Sequence, residues 1–185
     1  ARTNDKLKKL APDLKDMGLY FEIKGRKSYR TRLYKSIQDY TRWTNGDKLS
    51  LSECKDLFEF LGVDKTLTDE RMYDLGEFGF TFTDHWYEVF QADPEECLYI
   101  REMMRNEEKL SQAPRIKLST IHAAKGGEAT NVLIILDNTK KIREAIENNQ
   151  DKYDEEQRVW YVGVTRTKQN LYIMTAKRED WGYDI

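Results

Sequence analysis

Two segments in the last third of the chain carry side chains suited to a phosphorylated ligand. The first, STIHAAKGGEATNV (119–132), is an unusually polar, glycine-containing stretch next to an apolar run. Thr120 and His122 offer hydrogen-bond donors and Lys125 a cation, while Gly126 and Gly127 let the backbone approach a ligand closely. Glu128 adds a carboxylate, a group able to accept a hydrogen bond from a ribose hydroxyl. The second segment is DEEQRVWYVGVTRTKQNLYIMTA (154–176), in which Arg166 falls near the end of a helical pattern. Its charge is permanent and its donors form a fork that matches phosphate oxygens. Taken as bare patterns, both segments also fit plainer roles: an ordinary connecting loop, and an arginine complementing a helix C-terminus. The acids Asp151, Asp154, Glu155 and Glu156 suit the positive end of a helix dipole and imply no paired-carboxylate chemistry.

The surrounding pattern predicts the elements that must hold these groups. RIKLSTI (115–121) reads as a strand, and NVLIILD (131–137) as a strand buried on both faces because its apolar run is nearly continuous. Helices over about 139–149 and 152–168 follow, then a strand NLYIMTA (170–176). Strands alternating with helices predict an α/β fold with a parallel sheet flanked by helices. A ligand loop at the carboxyl end of such strands is where open sheets bind their ligands. Upstream, Leu7, Leu10, Leu14 and Met17 predict a helix over 4–17 with Asn4 as cap, weakened by Pro12 and stopped at Gly18. LYFEI (19–23) alternates like a short strand. A second helix begins near Ser28 and ends before Asn45-Gly46, and a third follows Ser50 or Ser52 and closes at Gly62. Tyr73, Phe78, Phe80, Phe82, Trp86, Tyr87 and Phe90 then read as the core of a small insert, with a base-stacking platform as the alternative. Pro94 opens a further helical run to about 110, and Pro114 marks a boundary.

Composition limits the classes open to this chain. Its 185 residues suffice for one packed domain with a small insert, and its 12% aromatic content argues for a core rather than disorder. No apolar run approaches the roughly 20 residues that span a bilayer, and the opening ARTNDKLKKL has no signal-peptide core. Cys54 and Cys97 form no C-x-x-C pair, which points to a reducing, intracellular setting. The net charge of −2 conceals an asymmetry: residues 1–52 hold 13 Lys/Arg against 6 Asp/Glu, and residues 53–112 hold 6 against 16. The basic part could attract phosphates and the acidic middle repels them. No Ser/His/Asp arrangement and no metal-spaced His/Cys cluster is present.

STIHAAKGGE resembles motif V, and EEQRVWYVGVTRTKQNLYI motif VI, of UvrD/Rep-type superfamily 1 DNA helicases. ARTN, followed by a helix, a strand and GRKSY, is similar to motif IV of the same family. The three occur in family order, with the acidic segment where the family inserts its 2B subdomain. This sequence has Gly127 where the family usually has leucine, Gln157 for a common arginine, Thr167 for a common alanine, and Ala1 where an aromatic often stands.

The resemblance implies a RecA-like domain 2A at 1–45 and 113–185, with a small, mostly helical 2B-like insert at 46–112. It implies that Arg166 and Arg2 converge on the γ-phosphate of ATP, that Glu128 lies near the ribose beside Gly126 and Gly127, and that Thr120, His122 and Lys125 line a single-strand DNA track. No Gly-Lys dipeptide occurs anywhere in the chain, so no P-loop is present. The implied reading is the second lobe of an ATP-dependent helicase or translocase, a piece of a longer protein whose N-terminal P-loop lobe holds most of ATP and Mg²⁺. Its partners would be that lobe and single-stranded DNA or a single-strand/duplex junction, in the cytoplasm at the nucleoid, with no membrane. On this reading the isolated chain neither hydrolyses ATP nor unwinds DNA. The competing reading is a non-catalytic, helicase-like module for binding protein or nucleic acid.

Overall fold

The computed structural model describes residues 1–79 and 85–175. The chain forms two compact units, one of Ala1–Leu14, Phe21–Arg26 and Arg115–Ile185, the other of Lys15–Tyr20 and Lys27–Pro114. Both mix helix and strand.

In the first unit, helix α1 (Asn4–Asp16) begins at Asn4 itself and continues through Pro12, burying Leu7. Strand β1 (Phe21–Ile23) pairs in parallel with a later strand, Ile116–Leu118, with Phe21 opposite Ile116 and Ile23 opposite Leu118. Strand β2 (Arg26–Lys27), of which Arg26 belongs to this unit, lies on the other side of β1.

The second unit is built on helix α2 (Thr31–Thr44), whose inward stripe is Leu33, Ile37, Tyr40 and Trp43. The helix starts later than Ser28 because Arg30 is still extended, at φ −76° and ψ 109°. Strand β3 (Leu49–Ser50) leads into α3 (Leu51–Leu61), which opens on a full capping box. There the Glu53 amide donates to Ser50 Oγ, and Glu53 Oε2 accepts from the Ser50 amide at 2.8 Å. Gly62, at φ 65°, closes the helix in the left-handed conformation that glycine adopts without steric cost. Strand β4 (Met72–Tyr73) pairs antiparallel with β3. Helices α4 (Trp86–Val89) and α5 (Pro94–Arg105) follow, the latter capped by Asp93.

Of the aromatic cluster expected from the sequence, Tyr73, Trp86 and Phe90 are buried, Phe78 meets Trp43 and Phe58 ring to ring at 5.2–5.7 Å, and Tyr87 is exposed. Rings spent on one another are not free to stack on bases. Phe80 and Phe82 lie outside the described residues. Burial also pushes the Cys54 thiol up to about 11, with Glu53 and Asp39 adding repulsion.

The rest of the first unit holds the candidate ligand segments. Strand β5 is Ile116–Leu118, and β6 (Ala129–Leu136) leads through α6 (Lys140–Asn148) and α7 (Gln150–Val164) to β7 (Thr167–Thr175). β6 and β7 pair in parallel, Val132 opposite Leu171 and Leu136 opposite Thr175. The helices thus form the crossover that two parallel strands require.

The single sheet expected from the sequence is not what the described strands make. They form three small sheets, in the orders β2-β1-β5, β3-β4 and β6-β7. The strands β1, β2 and β5 have two or three residues each, too few to carry one ladder across the unit. Nor is β6 covered on both faces. Ile134 and Leu136 turn towards Trp160 of α7, whereas Leu133 (53% exposed) and its cross-strand neighbour Tyr172 (55%) face solvent on the other side. No helix among the described residues is long and apolar enough to cross a membrane.

The core under α7 joins Trp160 to Ile121, Ile134 and Leu136, with Gly163 beside them. A Cβ on Gly163 would lie 3.3 Å from the terminal methyls of both Ile121 and Ile134, so glycine sets how closely helix and strand approach. Trp160→Ala should cost about 3–5 kcal/mol, read as a fall in the midpoint of urea unfolding; a loss below about 1 kcal/mol would contradict this core. The two buried thiols should react slowly with a disulfide reagent at pH 8, since about one Cys54 in a thousand is then thiolate, and rapidly once urea unfolds the chain.

Candidate functional site

The loop between β5 and β6 owes its shape to one buried residue and a run of tight turns. Ile121 is 5% exposed and anchors the loop in the Trp160 core, while its neighbour His122 is exposed. Thr120 Oγ1 accepts from the Ala123 amide at 3.2 Å, and the Thr120 carbonyl accepts from the Ala124 amide. The Lys125 amide donates to the His122 carbonyl and the Gly127 amide to the Ala124 carbonyl. Gly126 sits at φ 83°, a conformation that a side chain disfavours, whereas Gly127 does not. The Lys125 side chain is exposed. Glu128, also exposed, pairs with Lys168 at 3.2 Å. An exposed pair of this kind is worth at most about 1 kcal/mol, so the carboxylate remains available to another partner.

Arg166 does not belong to the last turn of α7, as the sequence pattern suggests. The helix stops at Val164 and Arg166 lies in the short turn before β7, its amide bonded to the Gly163 carbonyl. Its guanidinium meets three neutral oxygens. Nε donates to the Val162 carbonyl at 2.9 Å, Nη2 to Thr165 Oγ1 at 3.0 Å, and Nη1 reaches the Gly127 carbonyl at 3.4 Å. These bonds orient the group without cancelling its charge. Through them the end of α7 is tied to the glycine loop, beside Glu128.

Arg2 is held differently. The Ala1 nitrogen donates to the Ser119 carbonyl, and the Ile121 amide donates to the Ala1 carbonyl at 3.0 Å, so the chain start runs alongside the end of β5. That register brings Arg2 beside His122, its Nη1 lying 3.4 Å from His122 Nδ1. The other edge of the guanidinium forms a two-pronged ion pair with Glu156, Nε to Oε1 at 2.7 Å and Nη2 to Oε2 at 3.0 Å. Glu156 is 4% exposed. Arg2, His122 and Glu156 line a cleft of about 380 Å³ together with Ile142, Lys152 and Arg158. Arg2 and Arg166 are therefore anchored separately. Their anchors Glu156 and Val162 lie six residues apart on α7, a rise of about 9 Å.

Lys152, Arg158 and the Arg2–Glu156 pair were not singled out as site groups by motif reading. Glu156 carries a signal even so. It stands four residues before Trp160 and seven before Gly163, and these three are the buried positions of α7. A carboxylate on an inward stripe must find a partner.

The model of the UvrD-like helicase C-terminal domain matches residues 33–178. This chain belongs to that family. The UvrD-like match contains the glycine loop, Glu156 and Arg166 but not Arg2, whose place rests on the geometry above. The chain is 30% identical over 164 residues to the ATP-dependent DNA helicase PcrA of Bacillus subtilis, covering 84% of this chain and 18% of that protein. It is 30% identical over 84 residues to the ATP-dependent DNA helicase Rep of Escherichia coli, 45% of this chain and 12% of that protein. A Rep helicase of Buchnera aphidicola from Acyrthosiphon pisum is 36% identical over 90 residues, 45% of this chain and 13% of its own length. The chain thus spans less than a fifth of the relatives it matches.

The two loop glycines separate by conformation, and this can be measured. Gly126→Ala should destabilise the chain by about 1–2 kcal/mol, the cost of a Cβ in the left-handed region. Gly127→Ala should be near neutral, because its new Cβ would sit 3.5 Å from the Ala124 carbonyl oxygen, an ordinary contact. Equal losses in thermal unfolding would contradict the loop geometry.

Proposed function

We propose that this chain is the second motor lobe, domain 2A, of an ATP-dependent DNA helicase or translocase. On this reading 1–45 and 113–185 form a RecA-like domain and 46–112 a small acidic 2B-like insert. The observation that carries the proposal is the Arg166 guanidinium, held by three neutral oxygens where the glycine loop meets the end of α7. A guanidinium fixed by carbonyls keeps its full positive charge for an incoming phosphate, and its orientation needs little adjustment when the phosphate arrives.

In this motor ATP, held with Mg²⁺ mainly by the P-loop lobe, supplies the phosphoryl group that is transferred to water. On this reading the chain's own task is electrostatic. Arg166 stabilises charge on the transferring group, an effect worth 10³–10⁵ in rate for arginine fingers in general. Arg2 offers its Nη1 edge to the same ligand. Glu128 accepts from the ribose hydroxyl, with Gly126 and Gly127 allowing the loop to close on the nucleotide. Thr120, His122 and Lys125 form part of the single-strand track; the exposure of His122 and Lys125 on a loop pinned by Ile121 supports this role. The relatives' names, ATP-dependent DNA helicases, support the choice of ATP and DNA.

The alternative is a non-catalytic, helicase-like module for binding protein or nucleic acid. A single experiment separates the two. With a P-loop lobe supplied, DNA-stimulated ATP hydrolysis should fall by about 10³ or more in Arg166→Ala, while the lobe-free chain should show no hydrolysis. Equal rates for wild type and Arg166→Ala would remove the motor reading in favour of the module.

A further inference from the structure

Among the four acids at the start of α7, Glu156 alone is buried. Its carboxylate takes both Nε and Nη2 of Arg2, which fixes the guanidinium in plane as well as in position. The backbone of Ala1 is fixed independently by its two hydrogen bonds at the end of β5. Arg2 is therefore clamped from both ends, its Nη1 lies 3.4 Å from His122 Nδ1, and Arg2 and His122 both line the cleft. A pair with no net charge adds little long-range attraction for an anion. What it contributes is direction: N–H groups aimed at one place.

We infer that Glu156 is a positioning residue, whose two-pronged grip on Arg2 presents the Nη1 edge of that arginine to a phosphate oxygen of the bound nucleotide. This inference rests on the motor reading and extends it to a residue that residue type and position alone tie only to the helix dipole. The chemistry distinguishes positioning from charge supply. Glu156→Gln replaces one acceptor oxygen with an N–H donor facing another donor, so one prong is lost and the guanidinium turns. The site also becomes more positive by one charge. Aim is lost while attraction is not.

The test measures DNA-stimulated ATP hydrolysis with the P-loop lobe supplied, alongside thermal unfolding. Glu156→Gln should lower kcat about tenfold without raising the KM for ATP, and Glu156→Asp, which keeps the charge but withdraws the carboxylate, should show a smaller loss of the same kind. In an Arg2→Ala background, Glu156→Gln should cause no further fall in kcat, because its effect passes through Arg2. A purely structural role would lower the unfolding temperature and leave kcat per folded molecule unchanged, and this result overturns the inference. It is overturned equally if the two substitutions multiply, if Arg2→Ala leaves kcat intact, or if neither variant at 156 folds. In each of those cases a strong loss in Arg166→Ala leaves the motor reading standing. An inactive-site result for Arg166→Ala, with no change in rate, brings down the motor reading and this inference together.

Discussion

The packing of α7 on β6 is the constraint from which the rest of the first unit follows. Trp160 fills the space under the helix, and Gly163 lets the backbone come close to Ile121 and Ile134. One helix then carries Glu156 near its middle and leads directly into Arg166 at its C-terminal end. Because Ile121 belongs to the same core, the glycine loop is docked by the same contact. Both guanidinium groups thus take their positions from a single apolar interface, and errors in its packing would misplace the two of them together.

Much of this was legible in the sequence. Gly62 closing α3, the Asn45-Gly46 stop after α2, the Pro94 start of α5 and the aromatic cluster follow from local turn chemistry and periodicity, which act over a few residues. The glycine loop and Arg166 were recognisable because their side-chain types and order are specific, and the family match agrees with that recognition. What the sequence obscured depends on tertiary neighbours. NVLIILD looks like a strand covered on both faces, yet Leu133 is exposed, because apolar content alone does not say whether a second layer lies against it. The end of α7 was misread by a turn because TRTKQ has no helix-stopping glycine or proline, and pairing of Thr167 with Ala129 ends the helix instead.

The two arginines show how one residue type takes two electrostatic states within one unit. Arg166 is oriented by neutral carbonyl and hydroxyl oxygens and retains its charge. Arg2 is neutralised by a buried carboxylate and retains only its direction. Motif matching treats them as equivalent because it registers identity and not surroundings. On the proposed motor reading, their different settings suit different contributions to one ligand, field strength from the first and geometry from the second.

The Arg2–Glu156 pair, with its carboxylate buried, also constrains how this sequence can drift. Removing Arg2 strands the buried Glu156 carboxylate away from water, a loss of the kind that costs about 3–5 kcal/mol, whereas removing Glu156 leaves Arg2 partly open to solvent. Histories that change position 2 first therefore cross a valley, and the two sites are expected to be inherited together or exchanged together. Lysine offers no easy detour at position 2, since a point-like ammonium cannot span both carboxylate oxygens as a planar fork does.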